Sequence, residues 1–450
     1  MDTAALSPDL DHVKDLIDRA RRAGADQADA LIVRSASLSH DRRKGELEKV
    51  EREESADLGL RVILGRRQAF VSSTDLSAAG FDALVERALA MARTVPEDPY
   101  CGLADGAEVC LSPPPLDALD EVEPTPEELA KRAQACEEAA LAVEGVTNSE
   151  GASAGWGRTE IALAASNGFA GVHARSRHSV SVSVIAGEGT GMERDYDFTT
   201  AVFAEDLEDA AQVGRRAGVR TVRRLNPRRV KTGMVPVVFE SRAAGSLLRH
   251  FAGAINGAAI ARKTSFLRDR MGERVFASGN TIVDDPHRPR GLNSRPFDGE
   301  GVANRRRELV QDGVLQTWIL DLAAARQLGL KSTGHAARGT SGPPGPATTN
   351  LYLVPSGLTP KELIADIRQG LFVTDMMGMG ANLVTGDYSR GAAGFWIENG
   401  ELAYPVSELT VAGNLKDMFQ RLRPANDLRF RFGTDAPTVR IDGMTVAGTE

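Results

Sequence analysis

Four Asx-Gly dipeptides mark turns between β-rich runs of this sequence, and they favour folds with many antiparallel strands. The dipeptides are Asn167-Gly168, Asp312-Gly313, Asn399-Gly400 and Asp442-Gly443. An Asx-Gly pair is the strongest short-range signal for a two-residue hairpin turn, because both residues adopt positive φ readily. The sequence therefore predicts a hairpin at each of these positions, and a further one around Gly65-Arg66-Arg67.

Helical periodicity divides the strands into units. Apolar residues recur at helical spacing within 9–24, 75–93, 126–143 and 205–225, and Ser241 is expected to cap the helix that carries 245–257. The expected fold class is α+β: N-terminal α/β-layered units with antiparallel strands, followed by a mostly antiparallel β C-terminal domain with edge helices. The expected boundaries are 1–95 for an N-terminal unit, 96–125 for a Pro-rich surface linker, 126–228 for a central unit and 229–450 for the C-terminal domain.

Charge and hydropathy disfavour membrane and nucleic-acid partners. The 450 residues carry 54 Lys and Arg against 62 Asp and Glu, a net charge of −8, which gives no general attraction to phosphate. No run of about 18 apolar residues is present, so a membrane-spanning helix is not expected. The basic segment 215–231 has two interpretations, a nucleic-acid patch or a helix face at a domain junction, and the second is favoured. Cytoplasmic localisation is expected.

The cysteines and histidines show no metal-ligand or nucleophile pattern. Three cysteines, all in the first third of the chain, suit a reducing compartment: Cys101, Cys110 and Cys136. His173 and His178 are five apart in a predicted strand and should point to opposite faces. His250 has no ligand type three or four residues away on its helix. His335 lies in a Gly-rich loop, where a histidine is usually solvated.

Two segments of the chain resemble a known family. The residues TGDYSRGAAGFWIENGELAYPVSELTVAGNL (385–415) and DLGLRVILGRRQAFVSSTDLS (57–77) are similar to the TldD/PmbA family, in particular its TldE (PmbA) branch. The resemblance implies a cytoplasmic heterodimeric zinc metalloprotease, in which a TldD subunit carries the HExxxH helix and the zinc. It also implies action on unfolded or leader-containing peptides and, for some members, a link to DNA gyrase.

The resemblance places the three HExxxH positions at Arg249, His250 and Ala254, and all three are changed. Arg249 has no lone pair to offer, Ala254 has no donor atom, and no cysteine follows Cys136. Without the glutamate there is no carboxylate to deprotonate a metal-bound water. We therefore expect no catalytic residue, no metal ligand and no zinc in this chain, which would be an inactive component of a hydrolase complex, with zinc in its TldD-type partner.

Partner and substrate contacts are expected in the C-terminal signature loop. The candidate interface or peptide-contacting residues are Gly386, Asp387, Ser389 and Arg390. An alternative is that these residues only form tight turns, with side chains bonded to nearby amides. A homodimer is expected to be possible when the partner is absent. Two other functions stay open: a self-sufficient peptidase with another centre, such as His335 with a carboxylate, and a DNA- or gyrase-associated binding protein.

Overall fold

The N-terminal half is built on one twisted antiparallel sheet, which a computed structural model describes over residues 7–378 and 380–448. Its six strands are β1 (Gln27–Arg43), β2 (Glu46–Leu64), β3 (Arg67–Ser73), β4 (Val146–Ala165), β5 (Ala170–Ala186) and β6 (Glu193–Ala201). Their order is β3-β2-β1-β4-β5-β6, and every neighbouring pair is antiparallel. The two predicted N-terminal units therefore share a sheet, because β1 pairs with β4 along most of its length.

Four helices cover one face of this sheet in two pairs. They are α1 (Ser7–Arg22), α2 (Ala78–Thr94), α3 (Pro126–Leu141) and α4 (Ala210–Arg223). The helices α1 and α2 pack on β1–β3, and α3 and α4 pack on β4–β6, so each pair seals its own apolar cluster. A capping box at Thr125 starts α3, as its Thr-Pro-Glu-Glu sequence favours. Short 3-10 turns lie at Gly189–Gly191 and Ala204–Asp206.

The segment 96–125 is an ordered strap between the two halves of the chain. It contains no named helix or strand, but Val109 forms an isolated bridge with Val302 of the C-terminal domain. The amide of Cys110 donates to the carbonyl of Gly301, and the apolar side chains at Leu103 and Val109 are buried. Its proline-rich composition removes backbone donors, so the strap is fixed mainly by side-chain burial and a few amide bonds.

Within residues 229–378 and 380–448, the C-terminal half contains thirteen short and long strands. They are β7 (Gly233–Phe239), β8 (Ile282–Asp284), β9 (Arg307–Gln311), β10 (Val314–Leu315), β11 (Ala336–Ala337), β12 (Gly345–Pro346), β13 (Leu351–Leu353), β14 (Gln369–Met377), β15 (Asp387–Glu398), β16 (Glu401–Asn414), β17 (Leu422–Pro424), β18 (Thr434–Asp435) and β19 (Val439–Ala447). Five helices accompany them: α5 (Ser241–Ala254), α6 (Gly257–Ala261), α7 (Leu322–Leu328), α8 (Pro360–Ile364) and α9 (Leu415–Arg421).

These strands form a ring and a second sheet around one large core. The first sheet runs β16-β15-β14-β7-β19-β17, and an additional pairing of β16 with β19 closes five of its strands into a ring. The second sheet runs β10-β9-β8-β13-β18, and β11 pairs with β12. Pairing is antiparallel except for β14 with β7 and β13 with β18. The α+β class and the mainly antiparallel C-terminal domain are confirmed.

Three of the four Asx-Gly predictions are confirmed as hairpin turns. Asn167-Gly168 joins β4 to β5, Asp312-Gly313 joins β9 to β10, and Asn399-Gly400 joins β15 to β16. At the last two turns both residues have positive φ, as this turn type requires. The turn at Gly65-Arg66 likewise joins β2 to β3.

The predicted hairpin at Asp442-Gly443 is wrong, because β19 continues through it. Residues on both sides of the dipeptide pair with the same strand: Ile441 lies opposite Val237 and Met444 lies opposite Val235. Asp442 and Gly443 together lie opposite the single residue Pro236, which has no N–H to donate to the ladder, so the strand carries one extra residue in a bulge. Gly443 takes the positive φ that such a bulge can require.

The predicted cap at Ser241 is also wrong. The capping position is Glu240, and Ser241 is the first residue of α5. Strand β7 ends at Phe239, so no loop separates strand from helix. The amide of Glu240 donates to the carbonyl of Val373 and its carboxylate accepts from Arg242, so this position serves the junction between strand and helix.

Candidate functional site

Helix α5 carries the three degenerate positions, and its packing decides which of them face solvent. Phe251 is fully buried and makes edge-to-face contacts with Phe276 and Phe419 in the C-terminal core. On another face, a Cβ added at Gly245 would lie 2.9 Å from the carbonyl oxygen of Thr434, so β18 approaches the helix closely there. The helix is therefore held on two sides and cannot rotate to redirect its side chains.

The three positions do not converge on one point. Arg249 is exposed, His250 is partly buried, and Ala254 is fully buried in the core. The carbonyl of Ala254 accepts a hydrogen bond from the hydroxyl of Ser265, which fixes the end of the helix. A guanidinium and a methyl group are not zinc ligands, so this donor set does not fit a metal ion. Across residues 7–378 and 380–448, no group of three or more His, Cys, Asp or Glu residues could hold one.

His250 instead lies against Tyr388 of β15. Their ring centroids are 5.9 Å apart in an edge-to-face arrangement. Burial, helped by the charges of Arg390 and Arg249, lowers the pKa of His250 to about 4. The imidazole is therefore neutral at physiological pH and cannot act there as a general acid.

Tyr388 is a site residue that the sequence reasoning missed. Its side chain is 2% exposed, and burial raises the pKa of its hydroxyl to about 12. Arg390 lies close enough to counteract part of this effect, yet no described atom is aligned to hydrogen-bond the hydroxyl. The alternation of side chains along β15 could have indicated it, since residues 388 and 390 share one face of the strand.

The four residues nominated in the signature loop divide between two roles. The carboxylate of Asp387 accepts from the hydroxyl of Thr385 at 2.6 Å and from the amide of Asn414 at 3.1 Å, and these two bonds lower its pKa. Gly386 has a φ of 90° and leaves no room for a Cβ beside Asn414. These contacts agree with the tight-turn alternative for Gly386 and Asp387.

Arg390 and Ser389 point to opposite sides of β15. Arg390 is the nominated residue that the fold brings beside α5, and its Nε donates to the carbonyl of Gly378 at 2.9 Å. Ser389 is exposed, and its amide donates to the carbonyl of Gly380. The structure thus joins Arg390 to the degenerate helix and leaves Ser389 on the opposite face.

His335 is not solvated as predicted but is buried in a polar network. Its Nδ1 lies 2.8 Å from the hydroxyl of Thr333, and its Nε2 lies 3.2 Å from the carboxylate of Asp284. Asp284 also accepts from the amide and the hydroxyl of Thr349. The hydroxyl of Thr333 bonds the backbone of Leu320, and all these side chains are buried. The network satisfies polar groups around a loop and offers no access to a substrate.

His173, His178 and Cys136 also lie in buried surroundings. His178 is fully buried with its Nε2 3.1 Å from Asp120, whereas His173 contacts the ring of Phe297, so the two histidines do face different neighbours. Cys136 is completely buried in α3, and burial raises the pKa of its thiol to about 12. Such a thiol is not a nucleophile at neutral pH.

The basic segment 215–231 lies at the junction between the central unit and the C-terminal domain. Its arginines contact carboxylates or aromatic rings: Arg216 with Asp197 and Glu208, Arg220 with Asp197 and Glu240, Arg224 with Glu193 and Asp375, Arg223 with Phe395 and Arg228 with Tyr404. The contacts of Arg220, Arg223, Arg224 and Arg228 cross to the C-terminal domain, as the interpretation of a domain junction expects, whereas those of Arg216 stay within the central unit.

Comparisons with known proteins find relatives that match most of the chain. Three family models match: PmbA/TldA metallopeptidase domain 1 at residues 28–92, the central domain at 120–225 and the C-terminal domain at 232–448. The chain is 39% identical to the metalloprotease PmbA of Escherichia coli O157:H7, over 94% of this chain and 93% of that protein. It is 37% identical to the PmbA homolog of Haemophilus influenzae, over 96% and 94% of the two chains.

Solved structures show the same fold. A Bacteroides thetaiotaomicron protein proposed as a modulator of DNA gyrase is 27% identical and superposes with a TM-score of 0.90, covering 97% of this chain and 98% of that one. TldE from Thermococcus kodakarensis superposes with a TM-score of 0.88 at 20% identity, over 97% and 100% of the chains. From these matches and from the signature residues, we conclude that the chain belongs to the PmbA/TldA metallopeptidase family.

Proposed function

We propose that this chain is the non-catalytic, TldE-type subunit of a two-subunit zinc peptidase that acts on unfolded or leader-containing peptides. One observation carries the proposal: the helix that would present the HExxxH side chains presents Arg249, His250 and Ala254. Two of these side chains offer no metal-ligand atom, and the third is uncharged and packed against Tyr388. The catalytic zinc and the general base would then be supplied by a TldD-type partner.

The location of the complex and its second subunit are part of the same proposal. We place the complex in the cytoplasm, because the three cysteines are free thiols. None of the helices in the described ranges has the length and apolar character needed to cross a membrane. The C-terminal domain would form the contact with a related subunit, and a homodimer would use the same surface when that subunit is absent.

The test is reconstitution with a TldD-type subunit. Each chain alone and the mixture are analysed for co-elution, zinc content and cleavage of an unfolded peptide. We expect zinc and chelator-sensitive cleavage only where the TldD-type chain is present, with greater activity in the mixture. Stoichiometric zinc and chelator-sensitive cleavage in this chain alone would overturn the proposal. A chain that stays monomeric beside its partner would also overturn it.

A gyrase-associated role is a second candidate, favoured only by the description of the Bacteroides thetaiotaomicron neighbour. It predicts salt-sensitive retention on DNA that is lost on charge reversal at Arg223 and Arg224. Since these guanidinium groups contact Phe395 and nearby carboxylates, we expect no such retention.

A further inference from the structure

The side chains of α5 and β15 form a cluster of positive charge at the degenerate helix. Arg249 and His250 come from α5, and Tyr388 and Arg390 come from one face of β15. The rings of His250 and Tyr388 are in contact, and the charges of Arg390 and Arg249 both act on His250. We call these four residues the α5–β15 cluster.

Neither arginine in the α5–β15 cluster has a carboxylate partner within the described ranges. Arg390 donates to the carbonyl oxygens of Gly378 and Met376, and its side chain lies next to the hydroxyl of Tyr388. Arg249 makes no ion pair there, and its guanidinium extends back over Gly245. This contrasts with Arg242 on the same helix, which is bonded to the carboxylate of Asp195 at 2.8 and 2.9 Å.

The acidic group that acts on Arg249 from a distance is Asp435, and it is a poor counter-ion. Its carboxyl is 3% exposed and accepts the amides of Arg431 and Phe432. Burial raises the pKa of Asp435 above its usual value, and the carboxylate is already engaged by these backbone amides. The α5–β15 cluster therefore carries positive charge that the described residues leave largely uncompensated.

Two buried polar atoms in the cluster also lack a hydrogen-bond partner in the described ranges. They are the hydroxyl of Tyr388 and Nε2 of His250. Buried polar atoms in native proteins almost always have a partner, so an orphan beside unpaired cations indicates a missing acceptor. Tyr388 is a donor at physiological pH, because its hydroxyl stays protonated.

We propose that the α5–β15 cluster binds a carboxylate of an unfolded peptide, so that the position of the lost metal site has become an anchor for substrate. The guanidinium of Arg249 would hold the two carboxylate oxygens with parallel N–H donors, and the hydroxyl of Tyr388 would donate to one of them. Arg390 would add charge, since its Nε is already occupied by a backbone carbonyl. This inference rests on the proposed function only in taking a peptide as the source of the carboxylate.

The carboxylate can come from the C-terminus of a peptide or from an acidic side chain, and three labelled peptides separate these sources. All share one unstructured sequence without Asp or Glu: one with a free C-terminus, one with an amidated C-terminus, and one amidated with a single internal Glu. Binding to the full chain, without any partner subunit, is measured by fluorescence anisotropy at low salt. We expect the amidated peptide to bind at least about tenfold more weakly than the peptide carrying the recognised carboxylate.

Two variants and one control assign the effect to the α5–β15 cluster. Arg249→Gln should abolish the difference between the peptides, and Tyr388→Phe should reduce it severalfold. Arg93→Gln makes the same change of charge at an exposed position on α2 and should behave as wild type. Circular dichroism melting of each variant verifies that it is folded.

Equal binding of all three peptides to the wild-type chain would overturn the inference, as would an unchanged preference in Arg249→Gln. Inorganic phosphate is tested as a competitor. If phosphate displaces all three peptides equally, the site binds anions without selecting a carboxylate, and the inference is overturned. Because these measurements use the isolated chain, failure here leaves the partner-dependent activity untouched. Conversely, failure to activate a TldD-type subunit would leave peptide binding unchanged.

Discussion

A buried carboxylate that binds one arginine from each half of the chain gives a prediction about stability. Asp29 of β1 and Arg61 of β2 are each 2% exposed, and Nε of Arg61 lies 2.7 Å from the carboxylate. Arg338, from a loop of the C-terminal domain, donates to the other carboxylate oxygen. Burial alone would raise the pKa of Asp29, but the charges of Arg338 and Arg61 hold it below its usual value.

Asp29→Asn keeps the shape of the side chain and removes the charge that both guanidinium groups share. Arg61 would then retain only Glu300, whose nearest oxygen is 3.7 Å away, and Arg338 would have no described carboxylate. Leaving buried charge uncompensated costs about 3–5 kcal/mol. We therefore expect the free energy of unfolding to fall by about that amount.

The assay is urea denaturation at neutral pH, followed by circular dichroism, with the m value compared between variants. Glu51→Gln is the matched control, because Glu51 pairs with Lys49 at 2.6 Å but both side chains are about half exposed. Breaking that pair should cost less than about 1 kcal/mol. A loss below about 1 kcal/mol for Asp29→Asn, at unchanged m value, would refute the argument that this carboxylate holds the two halves together.

Three further predictions address the same junction and the α5–β15 cluster. Gly59→Ala should destabilise the protein by about 1–3 kcal/mol in urea denaturation, because the added Cβ would lie 2.3 Å from the carbonyl oxygen of Thr340. The control Gly339→Ala should be nearly neutral, because an added Cβ there would have no neighbouring atom within 4 Å. Equal losses of stability in the two variants would contradict the packing argument. Burial raises the pKa of Glu300 to about 8, so the folded state binds its proton more tightly than the unfolded state and stability should fall as pH rises from about 4.5 to 8. Glu300→Gln should flatten that decline in melting temperature, and an unchanged slope would show that another group causes it. Tyr388→Phe should leave the melting temperature unchanged or higher in the absence of peptide, because it removes a buried hydroxyl without a described partner. A fall in the free energy of unfolding of more than about 1 kcal/mol would mean that the hydroxyl is hydrogen-bonded in the free protein.

Much of the secondary structure could be predicted because its signals are local. The turn at Asn399-Gly400 needs only two residues that tolerate positive φ, and α3 begins where Thr125 and Glu128 can cap each other. The same local rule failed at Asp442-Gly443, where the partner strand contains Pro236 and converts a turn signal into a bulge. Whether an Asx-Gly pair reverses the chain therefore depends on what lies opposite it.

At the candidate site, too, some features could be predicted from the residue types and others depend on tertiary packing. The chemical deficit at Arg249 and Ala254 follows from the residue types alone, because a guanidinium and a methyl group have no lone pair to give a metal. The positions of Tyr388 and Arg390 beside His250 could not be predicted, since they require β15 and α5 to pack together across the C-terminal core. The burial of His335 was likewise missed, because its carboxylate partner Asp284 is far away in the sequence.

The sequence by itself determined three of the four Asx-Gly hairpins, the positions of the main helices, the α+β class and the lack of metal-ligand atoms at Arg249 and Ala254, because each depends on a residue and its near neighbours. Only the tertiary structure decided that β1 pairs with β4 to join the two N-terminal units, and that Asp29 meets Arg338 across 309 positions. Only it placed Arg249 and Arg390, which have no carboxylate partner among the described residues, near the buried hydroxyl of Tyr388. The physical reason is that burial and charge compensation depend on which distant segments share a core, and local propensity carries no information about that choice.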